Sequence, residues 1–134
     1  MKQETADYLA KAREDLDEAR NIAGIGLANA AGRSAYYAAF HTAEALIMER
    51  NGRAALSHKG VRIEFARLTR EEPRLGEFTT FLTRAYDLKA FADYSITPKG
   101  RISLADAQAA IEEAERMLAR VVDFLSSSTH SGES

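Results

Sequence analysis

Arg33-Ser34-Ala35-Tyr36-Tyr37-Ala38-Ala39-Phe40-His41 is the stretch on which the reading of this chain turns. It joins strong helix formers to three aromatic rings, a guanidinium and an imidazole. Successive residues of an α-helix turn by about 100°, so Arg33, Tyr37, His41 and Glu44 fall within about 80° of one another. Tyr36, Phe40, Ala43 and Ile47 form the adjacent apolar arc. A polar, titratable stripe therefore borders a core-facing surface on one helix.

Outward from this segment the chain reads as helical throughout. Alanine, leucine, glutamate and arginine dominate, and only two prolines occur. No alternating Val/Ile/Thr-rich run suggests a strand. Tyr8, Leu9, Ala12, Leu16, Ala19 and Ile22 predict a first amphipathic helix over Glu4–Ala23, with Arg13, Asp15, Asp17 and Arg20 mostly on its other side. Gly24-Ile25-Gly26 ends it. The second helix is expected over Asn29–Arg50 and stops at Asn51-Gly52. Ser57 is the expected N-cap of a third, His58–Arg70, which Glu71-Glu72-Pro73 terminates. A fourth helix is expected over Arg74–Tyr94, then a loop over Ser95–Arg101. Ser103 and Asp106 open a fifth helix that reaches Leu125. The serine-rich stretch 126–134 is expected to be a frayed or disordered tail. Short connections between long helices predict an all-α, up-and-down antiparallel bundle of about five helices in one domain, residues 1–125.

Composition sets limits on function. At 134 residues the chain is long enough for one core, with 46% hydrophobic and 28% charged residues. A net charge of −2 gives no overall nucleic-acid footprint, so any RNA contact needs a local basic patch. The lack of cysteine removes disulfides and thiolate metal sites and fits a reducing compartment, so a cytoplasmic location is expected. The charged N-terminus is followed by no apolar signal-peptide core, and no run approaches the ~20 apolar residues of a membrane span.

A second break in the pattern lies on the fourth helix. Lys89 falls within the arc of Leu75, Phe78, Leu82, Ala85 and Leu88, and Asp93 follows one turn later. A charge on a core face must be paired or sit in a polar cavity. Lys89 and Asp93 at i and i+4 can pair with each other, and Tyr94 can donate a hydrogen bond beside them. Ser57-His58-Lys59-Gly60 adds an imidazole and an ammonium at a helix N-terminus, read first as an N-cap with basic neighbours. His41 and Glu44 at i and i+3 are only half of a bundle metal site, so no metal is expected. Each stripe also has a bland reading, as a boundary network or ion pair that satisfies itself.

These segments together resemble the HEPN-domain family (higher eukaryotes and prokaryotes nucleotide-binding), in its small prokaryotic "YYAAFH"-type subgroup. The second-helix segment carries most of the likeness. Ser57-His58-Lys59-Gly60-Val61 with Phe65, then Lys89-Ala90-Phe91-Ala92-Asp93-Tyr94, then Ile102-Ser103 continue it in order, over roughly residues 4–125. The resemblance implies a helical bundle, commonly a homodimer, often paired with a minimal nucleotidyltransferase partner as toxin and antitoxin. No cofactor and no membrane association are implied. Several branches of the family are metal-independent ribonucleases whose active site pairs an Arg and a His. Here Lys89 stands in place of the common arginine, and no histidine follows it on that helix. Arg33 and His41 have seven residues between them, more than the family's ribonucleases use. Arg53 and His58 have four between them but straddle a loop and a helix start.

Three functions are then expected in order. The first is a module that binds a nucleotide, RNA or a nucleotidyltransferase, with Tyr37, Lys89, Asp93, Tyr94 and His58 binding nucleotide beside Arg33 and His41. The second is a non-catalytic dimerisation or scaffold protein. The third is a ribonuclease with His41 as general base and Arg33 stabilising the charged phosphorane.

Overall fold

The computed structural model describes residues 1–94 and 101–133, with side chains as far as Ser127 in the last helix. The chain is an all-α helical bundle, and no strand occurs among the described residues. Its elements are α1 (Gln3–Gly24), α2 (Ala28–Asn51), α3 (His58–Leu68), the single turn α4 (Pro73–Gly76), α5 (Phe78–Tyr94) and α6 (Leu104–Glu133).

The stop and start signals act as expected where they can be observed. Gly26 takes φ +82° just after α1. Gly52 takes φ +73° and its N–H donates to Met48 O at 2.9 Å, closing α2. Both are left-handed conformations that only glycine adopts freely. Ser57 Oγ accepts from Gly60 N–H at 2.9 Å and caps α3. Ser103 Oγ accepts from Asp106 N–H at 3.0 Å at the start of α6. The expected loop over Ser95–Arg101 lies, apart from Arg101, outside the described residues. α6 extends to Glu133, past the Leu125 boundary expected from its apolar arc.

One expected helix is two. Arg74–Tyr94 divides at Glu77 into α4 and α5. The break lets Leu75 and Phe78 both enter the core, where they are 3% and 1% exposed. It also brings Gly76 against the end of α3, where a Cβ would lie 3.2 Å from the Thr69 carbonyl oxygen. α3 in turn stops at Leu68, two residues short of the expected end, because Thr69 turns back. Its N–H and hydroxyl both donate to Phe65 O, and its own carbonyl accepts from Glu72 N–H at 2.9 Å.

α2 is the central element. One side packs along α1 through alanines, including Ala12, Ala19, Ala35 and Ala39, each fully buried. Small side chains let two helix backbones approach closely. α1 is antiparallel to α2, since Lys2 and Thr5 bond Glu49 at the far end. α6 covers both through Ala107, Ile111, Ala114, Met117, Val121 and Leu125. α3 runs alongside α2 in the same direction, with His58 against Tyr36 at one end and Arg67 bonding Asn51 at the other. α5 returns antiparallel and brings Asp93 to Arg33. The doubling back of the chain between α2 and α3 thus places the N-terminus of α3 on the aromatic segment of α2.

Candidate functional site

The side chains singled out in the sequence gather around that segment in two connected clusters, one on each flank of α2. The first lies between α2, α3 and α5. Arg33 Nε donates to Asp93 Oδ1 at 3.0 Å and its Nη2 bonds the same oxygen. The Lys89 ammonium donates to Asp93 Oδ2 at 2.7 Å, the pair expected from its i,i+4 spacing. Asp93 is thus shared between two cations. Partial burial pushes its carboxyl upward, but the hydrogen bonds and charges of Lys89 and Arg33 outweigh burial and hold it below the ordinary carboxylate range. The hydrogen bond to Asp93 raises Lys89 in turn. With side chains 15% and 19% exposed, Lys89 and Asp93 are well shielded, whereas Arg33 is 47% exposed.

Aromatic rings adjoin this triad. Lys89 Nζ lies 5.7 Å from the Tyr37 ring centroid, within cation–π range. Tyr37 meets His58 edge-on at 6.2 Å. His58 is ringed by Phe40 at 4.7 Å, Tyr86 at 5.5 Å and Tyr36 at 5.7 Å. Its Nδ1 is 2.5 Å from the hydroxyl of Tyr36, a fully buried side chain. Burial, then the nearby Lys89 and Arg62 charges, push the His58 imidazole below its ordinary value. Burial pushes the Tyr36 phenol strongly up.

The second cluster lies between α2 and α1 and contains His41. Its Nδ1 is 2.6 Å from Asp15 Oδ2, and its Nε2 is 3.9 Å from Glu44 Oε1. Tyr37 and Tyr8 stack on the imidazole at 6.1 and 6.5 Å. Burial pushes Glu44 up to about 7. Beside His41 lies a shallow hollow of about 360 Å³ lined by Glu4, Asp7, Tyr8, Lys11 and Met48.

Arg33, Tyr37, Lys89, Asp93 and His58 therefore form one continuous contact network, with Tyr37 joining them to His41. Tyr94 stands apart as a side chain 84% exposed. Arg33 faces Asp93, and His41 faces Asp15 on the other flank, so the two do not share a carboxylate or contact each other. Arg53 is exposed in the turn before α3. No group of three or more His, Asp or Glu side chains among the described residues is arranged to hold a metal ion.

Three participants escape a reading of the sequence. Asp15, expected on the polar side of α1, is 5% exposed. Its signal is the Tyr8, Ala12, Asp15, Ala19 spacing, which places it on the buried arc. Arg62 stands one turn after His58 on α3, and its guanidinium lies 4.8 Å from the Tyr86 ring centroid. Tyr36, expected only to pack, carries the hydroxyl that holds His58.

No helix among the described residues is long and apolar enough to cross a membrane. Among curated proteins, none is similar enough to count as a match. The family model of the HEPN domain matches residues 5–125, nearly the whole chain. With the helical bundle and the ordered segments on α2, α3 and α5, this places the chain in the HEPN-domain family.

Proposed function

We propose that this protein is a HEPN-type module that binds single-stranded RNA or a nucleotide at the face between α2, α3 and α5, and that it works beside a nucleotidyltransferase partner in a toxin–antitoxin type of pair. One observation carries the binding reading. Arg62 and Lys89 lie on tyrosine rings that pack against the His58 imidazole, Arg33 adjoins Lys89 through Asp93, and Asp93 is the one carboxylate in ion-pair contact with these three cations among the described residues. Cations hold phosphate, and aromatic faces accept bases of any identity. A chain of net charge −2 needs such a local patch to meet an anionic strand. The nucleotidyltransferase partner rests on the family likeness alone.

Fluorescence anisotropy with labelled single-stranded RNA tests this reading. Lys89→Ala and Tyr37→Ala should each weaken binding about tenfold or more, the scale of a lost charge contact or a lost stack. Equal affinity in wild type and both variants would exclude this face. Absence of binding by the wild type would favour the scaffold reading, in which Arg33, Asp93 and Lys89 only satisfy one another. Co-purification with a co-expressed nucleotidyltransferase tests the partner.

The ribonuclease reading has one observation in its favour. Asp15 on His41 Nδ1 is the arrangement that orients an imidazole for general-base work. Cleavage of RNA in the presence of chelator, lost in His41→Ala, is its expected signature. Undiminished cleavage in that variant would remove His41 from the reaction.

A further inference from the structure

The two buried-edge histidines are in opposite situations. His41 has a carboxylate facing each ring nitrogen and a tyrosine stacked on it from α1 and from α2. His58 has one hydrogen-bond partner among the described residues, the Tyr36 hydroxyl on Nδ1. That bond decides the tautomer. Tyr36 is fully buried, and its O–H has no other acceptor among the described groups. A phenolic proton left unpaired in a core is costly, so Tyr36 donates and Nδ1 accepts. A neutral imidazole that accepts at Nδ1 carries its proton on Nε2. The anchored end faces the core, so the Nε2–H end points away from it as a fixed donor.

Two cations lie on the rings that pack against His58, and their charges reach its imidazole. Arg62 follows His58 by one helical turn and lies over Tyr86, which itself packs on His58. No described carboxylate is within ion-pair distance of Arg62. Lys89 reaches the same group over Tyr37. It gives one hydrogen bond to Asp93 at 2.7 Å, and an ammonium has three. We propose that His58 Nε2–H, the Lys89 ammonium and the Arg62 guanidinium form a phosphate subsite, with Tyr36 as the positioning residue that aims the imidazole. The subsite rests on the binding reading above and names the groups that hold the phosphate. Asp93, which shares Lys89, is the carboxylate that opposes an anion there.

The test has two parts. Long-range ¹H–¹⁵N spectra of the free protein should show His58 as the Nε2–H tautomer, and Tyr36→Phe should release it to a tautomer mixture. Titration with inorganic phosphate, and separately with a nucleoside monophosphate and its unphosphorylated nucleoside, should move the His58 Nε2 signal for the two phosphate-bearing probes only. Arg62→Ala should weaken both at least tenfold. His58→Gln, whose amide can donate like Nε2–H, should bind better than His58→Ala. Circular dichroism melts confirm that each variant is folded. RNA binding that persists in Arg62→Ala and His58→Ala, with His58 signals unmoved by phosphate, overturns the subsite and leaves the binding reading intact. Phosphate shifts without RNA binding support the subsite and overturn the RNA reading. Silence to every probe overturns both.

Discussion

Glu44 shows how one residue can set the pH response of this bundle. Its side chain is 10% exposed, and burial raises the carboxyl from the ordinary 4.5 to about 7. The groups it acts on are His41 and Tyr36 on its own helix and Tyr8 on α1, whose phenol burial and the Glu44 charge push up. A carboxyl that binds its proton more tightly when folded contributes stability that is complete below pH 4.5. That contribution is lost as pH rises through about 7, because the unfolded chain releases the proton first. The scale is about 3 kcal/mol at most, since each tenfold gain in proton affinity corresponds to roughly 1.4 kcal/mol. Urea unfolding should therefore give lower stability at pH 8 than at pH 5. Glu44→Gln should flatten that difference and stabilise the protein at pH 8 by about 1–3 kcal/mol. An unchanged pH slope in the variant would place the dependence elsewhere.

Within elements, the boundaries carry a disproportionate share of local stability. Ser57 closes the first turn of α3 through Gly60 N–H, and that turn holds His58 in place. Ser57→Ala should cost about 1 kcal/mol, measured by thermal unfolding. It should also loosen phosphate or RNA binding more than an equal loss of stability elsewhere. Gly52 ends α2 at φ +73°, so Gly52→Ala should cost about 1 kcal/mol although no atom lies within 4 Å of the added methyl. On the α1–α2 contact, Ala39 is fully buried. Ala39→Leu should destabilise by about 1–3 kcal/mol through overpacking, read as a lower denaturation midpoint. A neutral result there would mean that the two helices can separate without cost.

For the whole molecule, the relevant quantity is where charge collects. The net charge of −2 repels a polyanion at long range, while the α2–α3–α5 face presents three cations of which two pair with the single carboxylate of Asp93. RNA affinity should therefore depend on salt with a shallow slope, about −0.7 in log–log terms for each phosphate neutralised on a single strand. Arg62→Ala should reduce the slope by roughly that amount. A slope that Arg62→Ala leaves unchanged would show that the strand lies on another surface.

Helix positions, their caps and the family were legible because they follow from local rules. Periodicity places apolar residues on one arc, and glycine, serine and proline punctuate the ends. Lys89 and Asp93 could be paired from spacing alone, since one helical turn separates them. The split at Glu77 was not legible, because it depends on Gly76 meeting Thr69 from another element. Nor was the site's wiring. Asp15 meets His41 across 26 positions, His58 meets Tyr36 across 22, and Arg33 meets Asp93 across 60. The sequence by itself determined an all-α HEPN bundle and singled out Arg33, Tyr37, His41, His58, Lys89 and Asp93, but not Asp15, Arg62 or the Tyr36 hydroxyl. Only tertiary structure decided that His41 is boxed between carboxylates while His58 keeps a donor beside two cations. The physical reason is that a side chain's charge state and hydrogen-bond capacity depend on what packs against it, and those partners arrive from distant helices.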